Sequence, residues 1–310
     1  MPLKKLKKET SEELTLEWKL HIRNYQLVLT KEHCAGCQIC TLVCPREAIE
    51  LKTQPKKLGE KVEHAEIDID LDKCIFCGIC DILCPFGAIK VTVNGEHRLP
   101  IIEKESFPRL IRYILVDESK YPVDRVETEE VCPLDLIKIT HQTPDGKTVE
   151  DVKALTEEER KNIQVKIEVQ KERCPCCKVC EFKLPQDVMT VRKIFHGKIE
   201  IHQEMCPPHC TDCLDVCPIT GALYLSDQDY KVHVNEMFCV YCGACKAVCP
   251  EEDALDVKRS WVRHTPVESG AWNQALENIA SPETVTKELK AKGLQKATET
   301  LNNRLGEKRF

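Results

Sequence analysis

The spacing of the cysteines constrains this chain more than any other feature of its sequence. Four complete runs begin at Cys34, Cys74, Cys206 and Cys239, and each ends in a fourth cysteine followed by proline. Three of them read C-x2-C-x2-C-x3-C-P, and the Cys206 run has one extra residue in its first step. Three thiolates at this step wrap one loop around three irons of a cube, so the runs predict [4Fe-4S] clusters.

The fourth iron of each cube needs a ligand from elsewhere in the chain. In bacterial two-cluster ferredoxins, the fourth cysteine of each run ligates the cluster of the other run. Applied to the complete pairs of runs, this rule predicts four cysteine sets. Set 1 is Cys34, Cys37, Cys40 and Cys84; set 2 is Cys74, Cys77, Cys80 and Cys44; set 4 is Cys206, Cys210, Cys213 and Cys249; set 5 is Cys239, Cys242, Cys245 and Cys217.

Between these pairs lies a pair of runs that has lost one complete site. Each run begins five residues after an apolar strand, and this rule expects cysteines where Tyr121, Asp124 and Glu127 stand. Leu184 replaces the cysteine that would complete the same cube. The crossed set of the other cube is intact, so the sequence predicts five clusters in all. This set 3 consists of Cys132, Cys174, Cys177 and Cys180.

Two residues beside the runs offer alternative ligands. Cys176 precedes Cys177, but only Cys177 keeps the three-residue step, so we interpret Cys176 as a spare thiol. His209 lies in the widened loop before Cys210, where four cysteines are already available. Three alternatives stay open. Cys176 or His209 could act as a cluster ligand, or Tyr121, Asp124 and Glu127 could ligate a sixth cube.

Other uses of so many cysteines fit the pattern less well. Structural zinc uses two separated C-x2-C pairs, and disulfide frameworks belong to small secreted domains. The chain starts Met-Pro-Leu-Lys-Lys without the apolar segment of a signal peptide. No stretch approaches the roughly 18 apolar residues of a membrane span. We therefore expect a soluble, cytoplasmic protein with reduced thiols.

The charge of the chain argues against a nucleic-acid partner. The formal net charge is −6, and each oxidised cube with its four thiolates adds about −2. Nucleic-acid binders need a concentrated basic face. The short basic head, made of Lys4, Lys5, Lys7 and Lys8, is predicted to be a solvated terminus or a docking tail.

The repeated pattern of strand, cysteine run and strand predicts an α+β fold. We expect three tandem bacterial-type ferredoxin modules, the middle one with a single cluster, preceded by a β-hairpin and followed by a helical tail. Because only 5% of the residues are aromatic, metal ligation is expected to supply much of the folding energy. The predicted ranges are 1–27 for the hairpin, 28–100, 101–196 and 197–258 for the modules, and 259–310 for the tail.

Two tryptophans stand in the tail, which has no cysteine. Trp261 and Trp272 could cover the last module or anchor a partner, because aromatic residues are enriched at binding hot spots. The sequence leaves both roles open, and both residues are candidates for partner binding.

The function suggested by these motifs is electron transfer. The sequence has no Gly-x-Gly-x-x-Gly, no P-loop and no nucleophile arrangement, so it signals neither a nucleotide site nor hydrolytic chemistry. Five redox centres without a substrate site predict a conductor that is not an enzyme by itself. The middle cluster, between two two-cluster modules in sequence, is expected to bridge them in space.

The chain resembles the polyferredoxins of methanogenic archaea, most closely the polyferredoxin component of formylmethanofuran dehydrogenase. The resemblance rests on four segments, which are Arg23-Asn24-Tyr25, Phe76-Cys77-Gly78-Ile79-Cys80, Phe195-His196-Gly197-Lys198-Ile199-Glu200-Ile201 and Ser269-Gly270-Ala271-Trp272. It implies that electrons pass between a reduced donor, such as a ferredoxin, and a separate tungsten or molybdenum subunit that reduces CO2 to formate.

Three other functions stay open at this stage. The chain could be a free carrier, or one associated with a hydrogenase or heterodisulfide reductase. It could be a scaffold with purely structural clusters, or a reductase in its own right. Co-purification with a large catalytic chain, reversible bleaching by a low-potential reductant and the presence of a substrate site would distinguish them.

Overall fold

The computed structural model describes residues 4–53, 61–125, 131–149, 152–251 and 253–280. Its elements form three successive units that share one pattern of strand pairing. In each unit, the strand before the first loop pairs with the strand after the second, and the two remaining strands pair with each other. This crossed pairing brings the two loops of a unit together, although they are separated in sequence.

The first unit carries an enlarged sheet at the N-terminus. The strands that precede its first loop are β1 (Lys4–Glu9), β2 (Glu13–Lys19) and β3 (Asn24–Thr30). The loops and remaining strands contribute α1 (Ile39–Val43), β4 (Ile49–Lys52), β5 (Glu66–Ile69), α2 (Ile79–Leu83) and β6 (Ile89–Val93). The sheet order β1-β2-β3-β6 confirms that the predicted hairpin extends the sheet of the first unit.

The basic head differs from the prediction of a solvated terminus. Its lysines form β1, which pairs along its full length with β2. Lys7 Nζ donates to the Ile69 carbonyl at 2.9 Å, and Lys5 Nζ donates to the Leu71 carbonyl at 3.2 Å. The head is therefore an edge strand of the sheet. Its Lys7 and Lys5 satisfy backbone carbonyls at the end of β5 and in the turn that follows it.

The second unit repeats the pairing with longer connections. Its elements are α3 (Pro100–Glu103), β7 (Tyr113–Val116), β8 (Ile137–Gln142), β9 (Thr148–Val149), α4 (Glu157–Arg160), β10 (Gln164–Val169), α5 (Val179–Lys183) and β11 (Met189–Arg192). Strand β7 pairs with β11, and β8 pairs with β10. The helix α4 begins at a capping box in which Thr156 and Glu159 bond reciprocally.

The third unit and the tail complete the described chain. Their elements are β12 (Phe195–Ile201), α6 (Asp212–Asp215), β13 (Leu223–Leu225), β14 (Val232–Val234), α7 (Ala244–Val248), β15 (Leu255–Val262) and α8 (Gly270–Ile279). Strand β12 pairs with β15 and β13 with β14. The second short strand predicted after each Cys-Pro pair is confirmed in every unit.

Three predicted domain boundaries fall inside strands. The boundaries at 27/28, 196/197 and 258/259 lie within β3, β12 and β15. The strands that lead into and out of the loops pair with each other and so belong to the units themselves. No helix among the described residues is long and apolar enough to cross a membrane.

The helix expected in the tail is present, and it packs against the first unit as well as the third. Ser269 caps α8 by accepting from the Ala271 N–H, and the buried positions Trp272, Ala275, Leu276 and Ile279 form one face of the helix. Asn278 Nδ2 donates to the Leu42 carbonyl at 2.9 Å, which places α8 against α1 of the first unit. The predicted Lys-rich helix at 281–310 lies outside the described residues.

Candidate iron–sulfur sites

In each of the five cysteine loops, the residue directly before the second cysteine has a positive φ. These residues are Gly36, Phe76, Cys176, His209 and Tyr241, with φ of 62°, 53°, 59°, 59° and 52°. Four of the five are not glycine, although L residues rarely adopt this left-handed conformation. This conformation directs the backbone N–H of the residue at the sulfur of the first cysteine. In one loop, the Tyr241 N–H donates to Cys239 Sγ at 3.4 Å.

The cysteines that precede proline receive similar bonds. Ala48 N–H donates to Cys44 Sγ at 3.2 Å, and Ala88 N–H donates to Cys84 Sγ at 3.3 Å. Hydrogen bonds from N–H to sulfur stabilise charge on the thiolate and are a main means by which a protein sets the potential of an iron–sulfur cluster. The spacing of the cysteines alone does not show which of these bonds form.

The structure brings the cysteines of sets 2, 3, 4 and 5 together around four separate cavities. All four members of each set line the same cavity. The cavities of sets 2, 3 and 5 have the same empty volume of about 380 Å³. Four thiols around one such space form a donor set that fits a [4Fe-4S] cube.

The thiols of set 1 are grouped by the effects that they have on the pKa values of their neighbours. Cys37 and Cys40 are buried, and the neighbouring charges of Cys34 and Cys84 add to burial in raising the pKa of both. Cys84 acts in the same sense on Cys34, which also places the fourth cysteine of the second run beside the first run. These effects place the four thiols of set 1 near one another, with Cys242 of set 5 also acting on Cys37.

Burial also controls the protonation of the thiols. It raises the pKa of Cys34 to about 11 and the pKa values of Cys177 and Cys217 to about 12. Without bound iron these groups are thiols at neutral pH, so binding of a cluster must release protons.

The sulfurs enclose a space and do not converge on a point. Among the described residues, no group of three or more His, Cys, Asp or Glu side chains could hold a single metal ion.

Set 4 lies in a wider cavity than the other sets. Its empty volume is about 870 Å³, and His209, Tyr230 and Lys231 line it beside the four cysteines. Tyr230 is 73% exposed. The extra residue in the first step of this run therefore accompanies a more open site.

Cys176 and Cys177 occupy different places in the set 3 loop. Cys177 lines the cavity of set 3, whereas the fully buried Cys176 is absent from that lining. The Cys176 Sγ donates to the Cys174 carbonyl at 3.8 Å, and the two side chains act on each other so that the pKa of Cys174 is lowered and the pKa of Cys176 is raised. Cys176 therefore lies outside the cavity lining and bonds to the backbone of a cysteine of set 3.

The positions that lost their cysteines, Tyr121, Asp124 and Leu184, form what we term the emptied half of the second unit. Tyr121 and Leu184 are buried, and Asp124 is exposed. The Tyr121 ring centroid lies 6.4 Å from that of the buried His141. Burial lowers the pKa of His141. Glu127 lies outside the described residues.

The sets of different units approach one another in the interior. The neighbouring charge of Cys242 in set 5 contributes to raising the pKa of Cys37 in set 1. The two outer units therefore meet directly, in addition to their contacts with the second unit. This direct contact adds to the bridging position that is expected of the middle site, because folding places the first and last units side by side.

Three basic side chains, which no pattern in the sequence marks, lie beside the cysteine loops of sets 1, 3 and 5. Arg112 donates to the carbonyls of Cys174 and Cys84, and Arg259 donates to the carbonyl of Cys242. Lys193 donates to the carbonyl of Cys239. Each is a single basic residue outside the cysteine runs, so no spacing pattern marks it.

The two tryptophans of the tail have different environments. Trp272 is 0% exposed, and its ring lies 5.4 Å from Phe107 and 4.6 Å from His264. Trp272 therefore packs against other residues of this chain, and it is no longer a candidate for binding a partner. Trp261 is 42% exposed, with Arg263 over its ring at 4.6 Å, and it stays a candidate.

Comparison with known proteins identifies the type of domain. Residues 33–88 and 198–250 each match a family model described as a 4Fe-4S dicluster domain. These ranges contain the complete runs of the first and third units. No curated protein matches the chain.

A solved structure matches nearly the whole chain. It is a chain of the formate dehydrogenase, heterodisulfide reductase and formylmethanofuran dehydrogenase complex from Methanospirillum hungatei, with 31% sequence identity and a TM-score of 0.74. The match covers 91% of this chain and 92% of that chain. The chain therefore belongs to the same protein family as its match in that complex and is an iron–sulfur protein with 4Fe-4S dicluster domains.

Proposed function

We propose that this chain is an electron-relay subunit that carries five [4Fe-4S] clusters, one at each cysteine set. The observation that supports the proposal is that 16 cysteines line four cavities in the crossed arrangement, while Cys84 acts on the pKa values of Cys34, Cys37 and Cys40. The second unit is then a third ferredoxin module that has kept one of two clusters. The clusters supply one-electron redox chemistry at nearly constant geometry.

The residues around the sites suit this role. The loops hold four sulfurs per site and direct N–H groups at them, which lets the protein set the potential of each site. Burial of Phe76 and Val240 beside sets 2 and 5 excludes water from the sulfurs. The short separation of sets 1 and 5, indicated by the interaction of Cys37 with Cys242, gives electrons a direct path between the outer units.

The partner that we propose is a formylmethanofuran dehydrogenase, to which the chain would contribute the polyferredoxin component. The matched complex contains such an enzyme by its description. The same complex contains a heterodisulfide reductase, so a relay between these two enzymes is the second candidate. In both cases the catalytic site belongs to another chain.

The test of the relay has two parts. Anaerobically prepared protein should contain about 20 irons and about 20 acid-labile sulfides per chain, by the stoichiometry of five cubes. Its visible absorption should bleach reversibly with a low-potential reductant. About 24 irons would show a sixth cube, and clusters that resist reduction would favour a structural scaffold.

The test of the partner is purification from the native source without oxygen. A relay subunit should elute with a large molybdenum- or tungsten-containing chain, and the other co-eluting chains decide between the two candidate enzymes. Elution of the chain alone would favour a free carrier.

A further inference from the structure

The interior of the molecule contains a junction at which loops of three cysteine sets meet in pairs. A different basic side chain lies at each of the three contacts. Arg112 donates to carbonyls of sets 1 and 3. Arg259 donates to a carbonyl of set 5 and interacts electrostatically with Cys37 of set 1, and Lys193 donates to a carbonyl of set 5 and interacts electrostatically with Cys177 of set 3. Sets 2 and 4 lie outside this junction.

The contact of Arg112 joins the first and second units. Its Nε donates to the Cys174 carbonyl at 3.1 Å, and its Nη2 donates to the Cys84 carbonyl at 2.9 Å. The loops are close here because Gly87 has no side chain, and a Cβ at Gly87 would lie 2.8 Å from the Glu172 carbonyl oxygen. One guanidinium therefore serves a cysteine of set 1 and a cysteine of set 3.

The contact of Arg259 joins the first and third units and is the most enclosed of the three. The side chain is buried, and it donates to the Tyr241 and Cys242 carbonyls at 2.8 Å each and to the Ile279 carbonyl at 3.2 Å. The thiols that act on it most strongly by electrostatics are Cys37 of set 1 and Cys242 of set 5. The end of α8 thus completes the site that holds this cation.

The contact of Lys193 joins the second and third units. Its Nζ donates to the Cys239 carbonyl at 2.8 Å and lies 4.9 Å from the centroid of the Tyr241 ring. The charge of Cys177 in set 3 also acts on it. The ammonium group therefore lies beside sets 3 and 5, with Glu236 and Lys178 as the other charged groups that act on it.

We propose that Arg112, Lys193 and Arg259 are positioning residues that raise the reduction potentials of sets 1, 3 and 5 in pairs, each side chain acting on the two sets that it joins. This inference rests on the proposed function, since it assumes a cluster at every set.

The sign and size follow from electrostatics. A cube with four thiolates changes from about −2 to about −3 when it accepts one electron. A nearby positive charge stabilises the reduced form more than the oxidised form and so raises the potential. Salt and water screen exposed charges, whereas the effect of a buried charge persists. The three interior cations should therefore outweigh the many lysines of the surface.

The experiment is a mediated potentiometric titration of the full-length, anaerobically prepared protein with Ti(III) citrate, followed by visible absorption and electron paramagnetic resonance. Arg259→Gln should make reduction of two sites, sets 1 and 5, about tenfold less favourable, a shift of about −59 mV for a one-electron step. Arg112→Gln should shift sets 1 and 3, and Lys193→Gln should shift sets 3 and 5.

A second substitution assigns the shifted sites. Combined with Cys132→Ala, which disrupts set 3, Arg112→Gln and Lys193→Gln should each shift one remaining site, while Arg259→Gln should still shift two. Arg259→Lys, which keeps the charge, should restore most of the wild-type potentials. Arg160→Gln is the matched control, because Arg160 is also half-buried and donates to a backbone carbonyl, that of Val152, which lies outside the cysteine runs.

Different outcomes separate the failure of this inference from that of the proposed function. Unchanged potentials in all three variants, equal shifts in all five sites, or equal effects of Arg259→Lys and Arg259→Gln would overturn the role of charge. If Arg259→Gln loses iron and does not fold, the half-buried Arg112 and Lys193 decide the question by the same criteria. A wild-type protein that holds iron but shows no reversible reduction would instead overturn the relay.

Discussion

The two halves of the second unit have similar backbone turns, but they differ in the side chains at the positions where the repeat expects cysteine. After Cys132-Pro133 the chain turns at Asp135 with φ 51°, and after Leu184-Pro185 it turns at Asp187 with φ 64°. The sulfurs of set 3 surround a cavity of about 380 Å³. In the emptied half, buried Tyr121 and Leu184 stand at positions where the repeat expects cysteine.

The difference separates what holds the loops from what holds the metal. The turn after the proline persists where leucine replaces cysteine, so strand pairing and the proline are sufficient for it. The cavity and the donor set depend on the side chains alone. On the proposed assignment, a unit of this kind keeps its fold where one cysteine set is missing, because apolar and aromatic side chains take over the packing.

The largest expected effect tests this difference for the whole chain. Removing the clusters with a chelator under anaerobic conditions should lower amide protection strongly around Ile69 and Val234, because the apolar core there packs against the cysteine loops that the metal would hold together. Protection at Ile167, whose N–H donates to Glu118 at 2.8 Å beside the emptied half, should decline less. Hydrogen exchange measured by mass spectrometry checks this, and full protection at all three positions in colourless protein would contradict it.

The next effect is confined to one site. Cys132→Ala should remove about four of about 20 irons, since it takes one ligand from a single cube. Electron transfer between the outer units should continue, because Cys37 and Cys242 are neighbours without the middle set. Iron assays and stopped-flow reduction measure the two quantities. Normal iron content would disprove the assignment of Cys132, and separate, uncoupled reduction of the outer units would show that the middle site is required.

The emptied half should respond in stability and not in iron content. Tyr121→Ala removes a buried ring and should lower the stability of the protein by about 3 kcal/mol, as for other large-to-small core substitutions. Denaturant titration with iron content as a check measures this. Tyr230→Ala is the control, because Tyr230 is exposed and its loss should change the stability little. Loss of iron in Tyr121→Ala would indicate that this half still supports a cluster.

The smallest effect concerns the spare thiol. Cys176→Ala should leave the iron content unchanged and lower the potential of set 3 by less than about 59 mV, a factor of ten, because one weak donor to the carbonyl of the ligand cysteine Cys174 is lost. Cys176→Ser, which keeps a donor, should restore the potential. Loss of about four irons would instead make Cys176 a ligand in place of Cys177.

The extent to which the sequence predicted the site differs from residue to residue. The membership of each set followed from spacing, because a loop of three-residue steps brings its thiols together without help from distant parts of the chain. The crossed fourth cysteines followed from a rule of the repeat. The left-handed residues Phe76, Cys176 and Tyr241 were not anticipated, since nothing in their side chains favours positive φ and only the surrounding loop enforces it.

The sequence by itself determined the chemistry of this protein, namely iron–sulfur clusters held by cysteine runs in repeated α+β units. The tertiary structure decided how the units meet. It formed an edge strand from the basic head, buried Trp272 against Phe107, and placed Asn278 on Leu42, 236 residues away in sequence. The physical reason is that ligand spacing is a local property of a loop. The positions of Arg112, Lys193 and Arg259 between the sets depend on packing among units that are distant in the chain.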